Sequence, residues 1–139
     1  MKTIEVVAAI ICHDGKILAT QRGYGDFKDG WEFPGGKVEK GESPEHAIIR
    51  EIKEELDVVI RPEKLVTTVE YDYPTFHLTM HCFLSTVQEG KIALLEHEAA
   101  KWLEPGQLDS VDWLPADVEV VVELKKLLAT NGEREVTKP

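Results

Sequence analysis

The chain has 139 residues and a formal net charge of -10, from 16 Lys and Arg against 26 Asp and Glu. That is one domain's length, enough to bury roughly 68% of the unfolded surface without disulfides or a structural metal. With 42% apolar and 30% charged residues it is neither disordered nor low-complexity, and its acidity disfavours nucleic-acid polymers and anionic membranes as partners.

Ile4 to Cys12 is β-branched and almost wholly apolar, the pattern of a strand buried on both faces. Its run Val6 to Cys12 is too short to span a bilayer. Glu5 before it, and the lack of a small-residue cleavage site, make it a poor signal peptide. His13-Asp14-Gly15-Lys16 is a turn, and Ile17 to Arg22 a second strand. Gly23 to Gly30 is a polar, glycine-rich loop. Trp31-Glu32-Phe33 is a short strand stopped by Pro34-Gly35-Gly36.

Ser43-Pro44-Glu45 opens a helix that runs to about Leu56. Ser43 caps it, Pro44 suits the first helical position, and Glu45 meets the positive end. Val58 to Ile60 and Leu65 to Tyr73 are strand-like, Pro74-Thr75 is a turn, and Phe76 to Leu84 returns as a strand. One helical turn is expected at Pro105 to Leu108 and a short strand at Val111 to Leu114. Val118 to Leu128 is an amphipathic helix with Val121, Leu124, Leu127 and Leu128 on one stripe. Residues 1–130 form the single domain and 131–139 a polar, frayed tail. The whole predicts an α/β fold, a mixed sheet with helices on both faces. Cys12 and Cys82 are far apart with no CxxC pair, as buried free thiols in a reducing compartment would be, so a soluble, cytoplasmic protein is expected.

In the first helix, Glu51, Glu54 and Glu55 fall within an arc of roughly 100°, with Arg50 at its edge, while Ile48, Ile49, Ile52 and Leu56 form a separate, core-facing arc. Like charges three and four apart destabilise an isolated helix by roughly 0.2–0.5 kcal/mol per pair. A bound divalent cation removes that conflict, and all-oxygen donors favour Mg²⁺ or Mn²⁺ over zinc. From these three residues alone, a solvated acidic face remains the alternative.

The wider spacing decides for function. Gly36, Glu42, Arg50, Glu51, Ile52, Glu54, Glu55 and Val58 stand at the spacing G-x5-E-x7-R-E-U-x-E-E-x-G-U, U being a bulky aliphatic. This resembles the Nudix box, matched at every specified position but one. The departure is Asp57, where the family has glycine, a site at which a left-handed backbone is wanted. Asp tolerates that conformation at a cost of roughly 1 kcal/mol. Outside the box, Trp31 to Glu39, the strand Ile4 to Ile11 and Leu114-Pro115-Ala116-Asp117 resemble the MutT-type branch, and within it the CTP pyrophosphohydrolases.

The resemblance implies a Nudix α/β/α sandwich and cleavage of a nucleoside triphosphate to a monophosphate and pyrophosphate, with Mg²⁺ or alternatively Mn²⁺. It implies a small-molecule nucleotide substrate and a monomer or homodimer. Glu54 and Glu55 are the main metal ligands it implies, Glu51 is a ligand or the base, and the Gly35 carbonyl completes the shell. Arg50 holds the glutamates by fork-like hydrogen bonds. Glu42 braces or ligates. Glu96 stands where the branch keeps one more metal-binding or basic glutamate, a surface residue being the alternative. Arg22 is a candidate phosphate contact or a plain surface arginine. Asp117 either caps the last helix or meets the base edge, where CTP-hydrolysing relatives carry Asp and 8-oxo-dGTP-hydrolysing relatives Asn. An ionised Asp only accepts hydrogen bonds, and cytosine offers its N4 amino group. Phe33 and Phe76 stack on the base or serve the core, Phe76 standing where MutT-type relatives often hold arginine. His77 and His81 point to one side of a strand in packing or surface roles, and Tyr71 and Tyr73 read as core edge. The alternatives to a pyrimidine-directed enzyme are an 8-oxo-dGTP diphosphatase and a silent nucleotide-sensing module on the same fold.

Overall fold

Successive side chains of a strand point to opposite faces, so the unbroken apolar run of the first strand forces it to the centre with a layer on each side. The computed structural model describes residues 2–23, 25, 27–93 and 97–137. Its elements are β1 (Lys2–His13), β2 (Lys16–Arg22), β3 (Trp31–Glu32), β4 (Gly35–Lys37), α1 (Pro44–Leu56), β5 (Val59–Tyr73), β6 (Phe76–Glu89), β7 (His97–Leu103), a 3-10 turn (Pro105–Gln107) and α2 (Pro115–Thr137). The sheet runs β3-β2-β1-β6-β5, with β4 also on β1 and β7 also on β2. β1 is parallel to β6 and antiparallel to β2 and β4, so the sheet is mixed. Asp14 and Gly15 both take positive φ, 51° and 73°, the backbone that a two-residue hairpin between β1 and β2 requires.

Val7, Ala9 and Ile11 pack with Ile48, Ile52 and Leu56 of α1 on one face. Ala8 and Ile10 pack with Val120, Val121 and Leu124 of α2 on the other. The expected sandwich is the observed one. No helix among the described residues is long and apolar enough to cross a membrane.

Several expectations need correction. Ile49 is 37% exposed; the buried arc of α1 is rotated toward Ala47 and Glu55 instead, because the helix also packs its carboxylate edge against β4. Pro34-Gly35-Gly36 does not simply stop a strand: Gly35–Lys37 is β4, paired to β1 through Val6, Val7 and Ala8. A Cβ on Gly35 would lie 1.9 Å from the Val7 carbonyl oxygen, so only glycine permits this approach. Val58 to Ile60 and Leu65 to Tyr73 merge into β5, which absorbs Pro62 at an irregularity in its pairing. Val111 to Leu114 contributes only a bridge between Trp31 and Trp113. β7 is unforeseen, β6 runs on to Glu89, and α2 begins at Pro115 and runs to Thr137. Cys82 is buried but Cys12 only half-buried, and burial pushes both thiol pKa values up.

Candidate active site

The acidic helix is fixed at both ends by its own sequence. Ser43 Oγ accepts from the His46 amide at 3.1 Å, and Pro44 occupies the first turn. Asp57 ends the helix in the left-handed conformation, φ 55° and ψ 37°, its amide donating to the Lys53 carbonyl at 3.1 Å. The one departure from the box motif therefore adopts the backbone the motif's glycine would, and Lys53 Nζ steadies its carboxylate at 2.8 Å.

Arg50 organises the carboxylates. Its Nε and Nη2 donate to the two oxygens of Glu42 at 2.8 and 2.9 Å, and Nη2 also donates to the Lys37 carbonyl at 3.0 Å. Its Nη1 donates to Glu51 at 3.0 Å and reaches Glu54 at 3.3 Å. Arg50 thus ties the loop before α1, the strand β4 and the helix into one unit. The Glu42 side chain is only 7% exposed. Hydrogen bonds from Arg50 hold its carboxyl down to about 2, against desolvation that pushes the other way. The same contacts, Glu42 first, raise the Arg50 guanidinium. Glu54 projects into solvent with its side chain 57% exposed, Glu51 is 15% exposed, and Glu55 is buried at 8%. Glu51 lies against Gly36: a Cβ there would sit 2.3 Å from its carboxylate.

Gly35 and Gly36 also line a cleft that opens to solvent. Arg22, Glu32, Phe33, Tyr73, Phe76 and Asp117 line the rest of its polar and aromatic wall. Asp117 sits within the first turn of α2, 5% exposed, and its Oδ1 accepts the Phe33 amide at 2.9 Å. Burial pushes its carboxyl up to about 8, helped by Glu32 and opposed by the Phe33 N–H and by Arg22. The direction of that shift favours the neutral carboxyl, which both donates and accepts, over the ionised form expected from the sequence, which only accepts. The Arg22 guanidinium forms a fork with Glu32, Nη2 to Oε1 at 2.7 Å and Nε to Oε2 at 3.3 Å. Phe33 stacks on Trp113, centroids 4.5 Å apart, and Phe76 stacks on Tyr73 at 5.0 Å. The Tyr73 hydroxyl accepts the Ala116 amide at 3.3 Å, satisfying one of the open N–H groups of α2.

The fold thus brings Arg22, Phe33, Gly35, Phe76 and Asp117 to the wall of one cleft. Gly36 lines it too and lies against Glu51, which Arg50 joins to Glu42 and Glu54. Glu96 lies outside the described residues. Glu32, Phe27 and Tyr73 were missed. For Tyr73 a signal existed: Tyr73 and Phe76 flank the two-residue Pro74-Thr75 turn, so as a cross-strand pair they must face the same side.

The NUDIX domain family matches residues 2–124. The chain belongs to the Nudix hydrolase family. It is 36% identical over 132 residues to the CTP pyrophosphohydrolase of Escherichia coli K12, covering 94% of this chain and 98% of that one. It is 32% identical over 129 residues to the 8-oxo-dGTP diphosphatase of the same organism, covering 91% and 100%. The solution structure of the E. coli ORF135 protein superposes with a TM-score of 0.82 at 36% identity, covering 94% of each chain.

Nudix hydrolases generally use a divalent metal, usually Mg²⁺, and act on small nucleotides. The residues of this Nudix hydrolase fit such an ion. The donors around α1 are carboxylate and carbonyl oxygens, the chemistry of a hard cation. The bare Cα of Gly36 is what lets the Glu51 carboxylate lie against β4. Among the described residues no three acidic side chains converge on one point; Arg50 hydrogen-bonds Glu42, Glu51 and Glu54 individually.

Proposed function

We propose that this Nudix hydrolase converts a nucleoside triphosphate and water to a monophosphate and pyrophosphate, and that CTP or a modified pyrimidine (d)NTP is its substrate. The observation that carries the proposal is one cleft lined both by a buried hydrogen-bonding carboxyl, Asp117, and by Gly36, against which Glu51 of the acidic face of α1 lies. A base and its polyphosphate need both chemistries at once.

In this reading Glu54, Glu55, Glu51 and the Gly35 carbonyl would hold Mg²⁺, with Mn²⁺ as its substitute. When bound, the cation neutralises phosphate charge and favours ionisation of water. Glu51, held by Arg50 and packed on Gly36, accepts the proton of the attacking water if it is not itself a ligand. Glu42 acts as a brace, since both its oxygens are engaged by Arg50. Arg50 orients the set without touching substrate. Arg22, in its fork with Glu32, is near Asp117, so in this reading it meets the nucleoside side of the substrate. Phe33, Phe76 and Tyr73 form the apolar wall against which a base lies, stacking being worth roughly 1–3 kcal/mol per base.

A neutral Asp117 presents an acceptor and a donor side by side, and cytosine presents its N4 amino group beside N3. An oxidised guanine offers a similar pair, so 8-oxo-dGTP is the second reading; the E. coli 8-oxo-dGTP diphosphatase is also a relative. The deciding experiment compares CTP, dCTP, a modified cytosine dNTP and 8-oxo-dGTP at equal Mg²⁺, measuring pyrophosphate and phosphate separately. The proposal predicts pyrophosphate as product and kcat/KM for the cytosine nucleotides about tenfold or more above that for 8-oxo-dGTP. The reverse order assigns the enzyme to oxidised guanine.

A further inference from the structure

The sheet face that carries Val7 and Ala9 extends into a polar ladder at the far end of β1, β6 and β5. His77 pairs across to Asp72 of β5 and Thr3 of β1, and Thr79 pairs with Glu70 and Glu5. The His77 ring is held from both sides. Its Nδ1 lies 2.6 Å from Asp72 Oδ1 and its Nε2 lies 3.0 Å from Glu70 Oε1. The Thr79 hydroxyl donates to the same Glu70 oxygen. A neutral imidazole has one N–H and can satisfy one carboxylate; only the imidazolium donates to both. The other groups on this face are Glu5 and His81, bound to each other at 2.8 Å, and Thr68, which holds the second nitrogen of His81.

Both acceptors belong to β5 and the ring belongs to β6, so the contact joins the last turns of the hairpin. On the opposite face of that hairpin tip are Tyr73 and Phe76, its final cross-strand pair, which stack on each other and line the cleft. We infer that His77 is a positioning residue, whose doubly donating, charged form staples β5 to β6 directly behind the cleft and holds Tyr73 and Phe76 where a nucleotide base stacks. The inference rests on the cleft being the nucleotide site. Asp72 first and Glu70 second raise the His77 pKa above its ordinary value. The staple is therefore complete below that ordinary value and is lost as pH rises through the raised one. The ring is 30% exposed, so protons reach it from solvent.

The test measures KM and kcat of wild type, His77→Gln and His77→Arg at about pH 6 and about pH 9. At the lower pH the KM of His77→Gln is expected about two- to fivefold above wild type with kcat unchanged. As pH rises through the raised His77 value that ratio falls toward one, because wild type loses its charge too. His77→Arg, permanently charged, then binds more tightly than wild type. Titration of Asp117 is common to all three proteins and cancels in the ratios. A His77→Gln ratio equal at both pH values overturns the inference. Failure of every protein to turn over any nucleotide would instead contradict the proposed function. The staple is then decided by NMR without nucleotide: Tyr73 and Phe76 ring resonances must shift with the midpoint of the His77 imidazole, and independent behaviour overturns it.

Discussion

Asp117 combines burial and charge in the side chain to which the proposed function gives base recognition. The unfolded chain ionises it near the ordinary carboxylate value, whereas the fold, by burying it, keeps the proton on to about 8. The folded state consequently loses stability as pH rises from about 4 to about 8, and the loss is complete above that range. Asn at this position carries no charge and still accepts the Phe33 amide. Asp117→Asn should therefore raise Tm relative to wild type by an amount that grows with pH, on the order of 15 °C by pH 9. Thermal melts at pH 5 and pH 9 check this, and a difference independent of pH contradicts the assignment of a buried neutral carboxyl. The same variant should change the ranking of bases; an unchanged ranking removes Asp117 from base recognition. At this scale the box residues were legible because their spacing is local to one loop and one helix. Glu32 was not legible: nothing near it in the chain marks its fork with Arg22, which forms only when β2 pairs with β3.

Helix α1 was readable end to end, since its cap, first turn, charged face and stop are all written within residues 43–57. Its rotation was not, because the helix turns to pack on β4, an element that exists only through the contact of two glycines with β1. Strand β7 was missed for the same reason: its partner β2 lies some eighty residues back in the chain, and the acidic residues at its start mask any alternation. The end of α1 offers a clean test of competing small effects. Asp57→Gly relieves a left-handed backbone worth roughly 1 kcal/mol but removes the exposed pair with Lys53, worth about 0.3–0.5 kcal/mol. The balance favours a stabilisation below about 1 kcal/mol with turnover unchanged. Urea unfolding and a pyrophosphate-release assay measure both, and a net destabilisation would mean that Asp57 does more than end the helix.

An acidic molecule of net charge -10 that binds a polyphosphate faces repulsion over its whole surface. The arrangement around Arg50 shows how far the protein alone offsets it: one guanidinium serves Glu42, Glu51 and Glu54 at once. The proposed function leaves the rest to a divalent cation, with the exposed Glu54 and the buried Glu55 as its proposed ligands. The most direct test is the change in Tm of nucleotide-free protein as Mg²⁺ is added, in wild type and in the double variant Glu54→Gln/Glu55→Gln. Binding to the folded state alone predicts that wild type gains about 2.7 kcal/mol at a hundred times Kd. The double variant, folded and melting cooperatively, should show no such gain and should lose turnover by orders of magnitude. An equal rise in both proteins, or none in wild type, contradicts a cation site on this helix.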